Sequence, residues 1–281
     1  MSRPARKSWD WGAVNSPPEP VLLDISKCCL PATSTGSPID SFYDTSAHTL
    51  TLGAPEALEA SPTLGRLLIL GLVTGTEAYF RALLLGVTSV CPFAREAISD
   101  ESVAFGSIDY YGPDQVALGL FENTSFASVA AIEKRTKQIT GLKWSQNDSL
   151  GVAATNFEQV CHMRHAAVHA QGVLNRGNAR ALGISRADAA RLHVVVDMAH
   201  LHLAAKACTS LVKAYNLFIF KGLLQKWLDH KLLVGSWQQD KRYFAPLFEL
   251  FRSRVDDVAP GSAYHAYRAL HPSILRRITA R

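Results

Sequence analysis

The chain has 281 residues, of which 48% are hydrophobic and 19% charged, and its formal net charge is +5. This composition excludes wholesale disorder, which requires few apolar residues and a high net charge. The five cysteines are odd in number and form no CxxC pair, so neither a disulfide framework nor a Cys-rich zinc site is expected. The positive charge is a mild bias towards polyanions.

The N-terminal part differs in composition from the rest. Seven of the thirteen prolines lie in the first sixty residues, and proline is excluded from helix interiors. We therefore predict an irregular Pro-rich segment (1–62) followed by a helical domain (63–281). Short strands are predicted at Val21–Ile25 and His48–Leu52.

The sequence indicates neither a secretory signal nor a membrane span. The N-terminus has a basic start without an apolar core, and the most apolar stretch is interrupted by Arg66, Glu77 and Arg81. Its longest uncharged run is too short for a bilayer, which takes about 20 residues. We predict a cytoplasmic protein with no membrane partner.

A helical pattern begins at Ser61, an N-cap residue that precedes Pro62 at the first helical position. Apolar residues then recur at three- and four-residue steps. The segment 91–113 is predicted to be irregular because prolines stand near both of its ends. A second helix is predicted from Asp114 to Thr140, with a glycine directly after it.

A third helix is predicted to open at Ser149, next to a capping aspartate. A basic loop, 175–180, separates it from a long helix predicted over at least Ser185–Ala214. A final helix is predicted near Phe244–Val255, and the basic C-terminal tail is predicted to be a solvated end. The pattern therefore predicts an all-α domain with at least four core helices.

The third helix carries the residues most typical of a reactive site. Four residues separate Arg164 from His169, and His165 directly follows the arginine. Residues three and four apart share a helix face, so His162, His165 and His169 are predicted to cluster. Histidine transfers protons near neutral pH, and arginine binds phosphate bidentately and stabilises developing charge. This combination suits acid–base chemistry on a phosphodiester.

This segment resembles the HEPN superfamily of helical domains. Its ribonuclease members carry Arg, four to six residues and then His, commonly with Asn, His or Asp directly after the arginine. Arg164, His165 and His169 match this motif. An apolar residue, Val168, precedes the last histidine, and Gly172 follows it.

The resemblance covers roughly residues 63–230 and adds a candidate upstream of the motif. Glu77 lies in the run TEAYFRALL, which is similar to the first helix of some HEPN families implicated in phage defence or toxin–antitoxin systems. The resemblance implies an HEPN-like helical bundle that acts as a homodimer. It also implies a metal-independent endoribonuclease with no cofactor, acting as a toxin or defence effector that an antitoxin or defence-system partner holds inactive.

The resemblance implies a role for each motif residue as well. His169 would be the general base or acid on the ribose 2′-OH and the leaving 5′-O. Arg164 would hold the scissile phosphate, and His165 would orient that phosphate or the histidine of the second copy. Attack by the 2′-OH would leave a 2′,3′-cyclic phosphate.

Residues on both sides of the motif are predicted to bind the RNA substrate. Arg176, Arg180 and Arg186 follow the motif helix and would contact the RNA backbone through salt-sensitive interactions. Glu77 is the substrate-binding candidate on the upstream helix.

Two other functions stay open on the residues alone. A non-catalytic HEPN module would bind RNA, a nucleotide or another protein without cleavage. A metal-dependent helical hydrolase would use Glu158 with the three histidines of the motif helix. His193, Asp197 and His200 on the next predicted helix also fall at spacings of four and three, which suit a metal site in a bundle.

Overall fold

The structure is a computed structural model that describes residues 14–16, 18–31, 36–184, 192–256 and 261–279. The chain divides into two compact units, Met1–Ser34 and Thr35–Arg281. The second unit therefore starts well before residue 63, where the helical domain was expected to begin.

The described part of the first unit contains one short 3₁₀ helix, Ile25–Cys28. No strand is present at Val21–Ile25, where every residue is described, so that prediction is wrong. Leu22 and Leu30 are 99% and 91% exposed, so these apolar side chains contribute nothing to a core.

The second unit is built from α-helices, and no strand occurs within its described residues. In chain order the helices are α1 Pro38–Thr51, α2 Pro55–Ala60, α3 Pro62–Val90, α4 Pro92–Ala97, α5 Phe105–Tyr111, α6 Val129–Thr140, α7 Ser149–His169, α8 Arg176–Ala181, α9 Met198–Asp229, α10 Trp237–Phe251 and α11 Ala263–Thr279. A 3₁₀ helix, Pro113–Phe121, lies between α5 and α6. The predicted all-α fold is confirmed.

Helix α3 is the central helix because it is apolar on most of its circumference. Ser61 accepts a hydrogen bond from the backbone N–H of Leu64 and caps the helix, as predicted. α3 packs against α1, α7, α9 and α10, and Ile69 and Phe80 are fully buried. Its length and composition would suffice to cross a membrane, but 56% of its most apolar window is buried in the bundle, which favours a soluble protein.

Helices α1 and α2 occupy a region that was predicted to be extended. Pro38 and Pro55 stand at the start of these helices, where the backbone N–H that proline lacks has no intrahelical acceptor. Ile39 and Phe42 of α1 are buried in the core. The strand predicted at His48–Leu52 is wrong, because most of this segment is the last turn of α1.

The segment from 91 to 140 also differs from its prediction. α4 begins with Pro92 at its first position, and α5 forms within the part that was predicted to be irregular. The helix predicted over Asp114–Thr140 is interrupted before α6. Only its end is confirmed, where Gly141 has a φ of 75° in the left-handed region.

Helix α9 begins later than predicted. The predicted start at Ser185 lies outside the described residues, and residues 192–196 are extended up to the start of α9 at Met198. Backbone hydrogen bonds of 2.8 and 3.0 Å join residues 192–194 to 172–174 in an antiparallel bridge. Three consecutive valines favour this extended backbone.

The C-terminal part is more ordered than predicted. α10 begins seven residues before the predicted helix, at Trp237, and the tail predicted to be solvated forms α11. Tyr267 and Ile274 of α11 are buried, whereas Arg276 is exposed. The basic tail therefore contributes an apolar face to the core.

A buried carboxylate joins α10 to α11. Asp240 is 1% exposed and accepts hydrogen bonds from the backbone N–H groups of Val234 and Gly235, each at 2.9 Å. It also accepts one from the Tyr267 hydroxyl at 2.6 Å. These residues are called the Asp240 cluster below.

Candidate functional site

Helix α7 positions the motif through its cap and its buried face. The Asp148 carboxylate accepts a hydrogen bond from the backbone N–H of Gly151 at 2.8 Å and starts the helix where it was predicted. Phe157, Val160 and Cys161 are buried in the core. These contacts fix the rotation of α7 about its axis. The motif residues Arg164, His165 and His169, called the motif site below, therefore lie at its C-terminal end.

The structure brings two of the predicted histidines together. The ring centroids of His165 and His169 are 4.6 Å apart, with the ring planes tilted by 46°. Both side chains are exposed. Partial burial, followed by the positive charges of His169 and Arg164, lowers the pKa of His165. The imidazole of His165 is therefore neutral at neutral pH and able to accept a proton.

His162 has a different partner from the one predicted. Its Nδ1 lies 3.2 Å from Oδ1 of Asn178, a side chain on α8 that is 5% exposed. Since the amide oxygen is an acceptor, Nδ1 donates in this hydrogen bond. His162 thus joins α7 to α8, whereas the close ring contact is between His165 and His169. The Nδ2 of Asn178 is buried without a hydrogen-bond partner among the described residues.

Arg164 is a half-buried cation without a counter-ion within the described chain. Its Nε is buried and has no hydrogen-bond partner. The Nε atoms of Arg135 and Arg252 are unpaired too, but both of these guanidinium groups form ion pairs with glutamates. A buried donor without an acceptor costs about 1–3 kcal/mol. The motif site therefore contains an arginine whose hydrogen-bonding capacity the described fold leaves unused.

Two carboxylates near the motif are engaged in the fold. Glu77 Oε1 accepts hydrogen bonds from the hydroxyl of Ser125 at 2.9 Å and the backbone N–H of Phe126 at 2.7 Å. Glu158 Oε2 accepts one from the backbone N–H of Val129, the first residue of α6, at 2.7 Å. These contacts pair the backbone N–H of Phe126 before α6 and that of Val129 at its start, in the region where the helix predicted from Asp114 is interrupted.

The same carboxylates influence a buried thiol. Burial, followed by the charges of Glu158 and Glu77, raises the pKa of Cys161. Arg164 acts in the opposite direction. Cys161 is therefore a protonated, buried side chain and lacks the thiolate character of a nucleophile.

The predicted basic loop after the motif is the short helix α8. Asn175 caps it by accepting a hydrogen bond from the backbone N–H of Asn178 at 2.8 Å. Arg176 and Arg180 are exposed and, being four residues apart, share one face of α8. Asn178 lies between them in sequence and faces α7. Arg186 lies outside the described residues.

Arg66, which the sequence did not point to as a site residue, lies beside Gly172, just after the motif helix α7. A Cβ built on Gly172 would meet Cδ of Arg66 at 2.6 Å and its Nε at 3.0 Å. Arg66 lies near the N-terminal end of α3, far from the motif in sequence. The signal in the sequence is an arginine near the start of a mostly apolar helix, but its neighbour depends on the packing of α3 against the end of α7.

The residues of the metal-site alternative are not arranged as predicted. His193 lies in the extended segment before α9 instead of on the helix. Asp197 caps α9 and accepts hydrogen bonds from the backbone N–H of His200 at 2.8 Å and from its ring Nδ1 at 2.7 Å. No group of three or more His, Cys, Asp or Glu side chains within the described part of the chain is close enough to hold a metal ion.

Comparison of this chain with family models, with curated proteins and with solved structures gives no match. The structure defines the class as an all-α protein, and the assignment of function depends on the motif site.

Proposed function

We propose that this chain is a metal-independent endoribonuclease of the HEPN type that cleaves RNA by attack of a ribose 2′-OH. The observation that carries the proposal is the motif site itself. The paired imidazoles of His165 and His169 adjoin Arg164, a cation whose Nε is buried without a partner. Proton transfer and phosphate binding are the two functions that cleavage of a phosphodiester requires from side chains.

The proposed reaction needs no group from outside the protein and the RNA. A neutral imidazole takes the proton from the 2′-OH as its oxygen forms a bond to phosphorus. The bond between phosphorus and the 5′-O breaks, and a second, protonated imidazole gives its proton to the leaving oxygen. The products are a 2′,3′-cyclic phosphate and a 5′-OH. His169 is the proposed base or acid, Arg164 the phosphate ligand, and His165 the orienting imidazole.

The proposed active form is a homodimer in which the motif sites of two copies face each other. Val168, directly before His169, is 45% exposed and supplies an apolar contact surface next to the reacting groups. Arg176 and Arg180 extend the positive surface beyond the site for the RNA backbone. A cytoplasmic toxin or defence effector, controlled by a partner protein, is the setting we propose for this activity.

The test is cleavage of single-stranded RNA by the purified full-length protein in the presence of EDTA. We expect a 2′,3′-cyclic phosphate product, and we expect His169→Ala to lower kcat by about 10²–10⁴ because a proton-transfer group is lost. His202→Ala is the matched control, since this exposed histidine lies on α9 outside the motif site.

Three results would contradict the proposal. Full activity of His169→Ala would exclude the motif as the reacting group. Activity that disappears in EDTA and returns with a divalent ion would support the metal-dependent alternative. RNA binding without any cleavage, unchanged in His169→Ala, would indicate a non-catalytic binding module.

A further inference from the structure

Helix α3 presents a basic side chain, Arg66 near its N-terminal end, against the loop that follows the motif site. The hydrogen bond from the backbone N–H of Gly172 to the carbonyl of Ala166, 2.9 Å long, folds this loop back onto the last turn of α7. Gly172 has a φ of 92°, in the left-handed region that favours glycine. The side chain of Arg66 lies over this glycine. Any larger residue at position 172 would displace the guanidinium.

The guanidinium of Arg66 is held on two sides. Its Nη2 donates a hydrogen bond to the hydroxyl of Thr63 at 2.9 Å, and its Cδ and Nε fill the space that a Cβ at position 172 would occupy. Neither Nε nor Nη1 has an acceptor among the described residues, and no carboxylate within the described chain forms an ion pair with Arg66. The guanidinium therefore keeps N–H groups that can bind an anion.

We propose that Arg66 is an additional phosphate-binding residue for the RNA substrate, placed beside the C-terminal end of the motif helix. The inference rests on the proposed ribonuclease function for the identity of the ligand. Its basis is a guanidinium without an ion pair among the described residues whose neighbour, Gly172, is three residues from His169. A planar guanidinium with free N–H groups matches the geometry of a phosphate diester. Arg66 would hold a phosphate that neighbours the scissile one.

A purely structural role for Arg66 predicts a different result. A cation near the C-terminus of α7 interacts favourably with the helix dipole, which contributes about 0.3–1 kcal/mol to stability. In that case removal of the charge would lower the melting temperature without changing the salt dependence of RNA binding. The experiment therefore measures both quantities.

The probe is a 2′-O-methyl RNA oligonucleotide, which binds without offering the 2′-OH nucleophile, and its affinity is measured at several salt concentrations. We expect Arg66→Gln to reduce the slope of log affinity against log salt by about 0.7, the value for one phosphate contact on a single strand. Arg66→Lys should retain the slope. Arg66→Met is a second charge-removing variant that keeps a side-chain stem over Gly172, for use where Arg66→Gln fails to fold.

Arg95→Gln is the matched control. It removes one positive charge on α4, where Arg95 donates a hydrogen bond to the backbone carbonyl of Ser89 near the C-terminal end of α3. Ser89 lies about 35 Å along α3 from Arg66 at 1.5 Å per residue. We expect the salt slope of this control to equal that of the wild-type protein. An equal loss of slope in Arg95→Gln and Arg66→Gln would overturn the inference, because it would mean that only net charge matters.

The outcomes separate this inference from the proposed function. Cleavage of ordinary RNA together with an unchanged slope in Arg66→Gln overturns the role of Arg66 and leaves the ribonuclease standing. A reduced slope without any cleavage supports the role of Arg66 and overturns the ribonuclease. Failure of the wild-type protein to bind the probe, in a preparation that does not cleave RNA, overturns both.

Discussion

Two polar clusters in this molecule use buried hydrogen-bonding groups in opposite ways. In the Asp240 cluster one buried carboxylate is met by three donors, two from the backbone and one from Tyr267. In and beside the motif site, Arg164 and Asn178 each keep a buried donor without an acceptor. Buried polar groups in folded proteins are nearly always paired, so unpaired ones need a reason. The first cluster is fully paired within the fold, whereas the second keeps donors that the proposed RNA substrate would engage.

The largest expected effect tests the structural side of the comparison. Asp240→Ala leaves three donors without their acceptor, and we expect the free energy of unfolding to fall by about 4 kcal/mol. Urea unfolding at neutral pH measures this loss. Asp44→Ala, at an exposed position on α1, should change stability by less than about 0.5 kcal/mol. Similar values for the two variants would show that the Asp240 cluster does not hold the C-terminal helices.

Arg164→Met tests the proposed role of the motif site in RNA cleavage. We expect kcat for RNA cleavage to fall by about 10²–10³, as for the loss of one transition-state donor, while stability is unchanged or rises by about 1 kcal/mol. Arg135→Met is the control, because Arg135 is buried and forms an ion pair with Glu101. Its removal leaves the Glu101 carboxylate without this partner, so we expect this variant to lose stability. Loss of stability in both variants would mean that Arg164 is a structural residue.

Glu77→Ala distinguishes the two roles of this carboxylate. The structure gives Glu77 two donors near the start of α6, so we expect a loss of about 1–2 kcal/mol of stability and no change in KM for RNA. Thermal unfolding and steady-state kinetics measure the two effects. Glu59→Ala, at an exposed position on α2, serves as the control. A rise in KM at wild-type stability would instead support the predicted substrate-binding role.

The smallest effect concerns proton binding by His165. Its lowered pKa means that the folded protein takes up this proton at a lower pH than the unfolded chain, whose histidine titrates near 6.5. Stability from this group is therefore present above pH 6.5 and is lost as the pH falls towards the folded pKa. His169→Asn removes a positive neighbour, so we expect the pKa of His165 to rise. NMR titration of the imidazole signals measures this shift, and a fall in the pKa would contradict it.

Local sequence signals predicted the helices whose ends carry strong caps. The Ser61–Pro62 start of α3, the Asp148 cap of α7 and the glycine after α6 all lie where the pattern placed them. The prediction was wrong where a tertiary contact competes with local preference. Residues 192–194 pair with 172–174 in extended conformation where α9 was predicted, and carboxylates from α3 and α7 bind backbone donors where the helix before α6 is interrupted.

The second main error in predicting the helices came from the interpretation of the prolines. Pro38, Pro55 and Pro92 were interpreted as helix breakers, yet each stands at the first position of a helix. Composition counts prolines but does not distinguish the first turn, where proline is favoured, from the interior, where it is excluded. The apolar residues that follow Pro38, Ile39 and Phe42, were the available signal for a buried helix.

The sequence by itself determined that the domain is all-α, and that His165 and His169 share a face of one helix, because four-residue spacing places side chains together whatever surrounds them. Only the tertiary structure decided which of these polar groups are paired. His162 contacts Asn178, Glu77 binds the backbone N–H of Phe126 before α6, and the side chain of Arg66 lies next to Gly172. All three contacts join residues far apart in the chain. Such contacts depend on how whole helices pack, which no local pattern encodes.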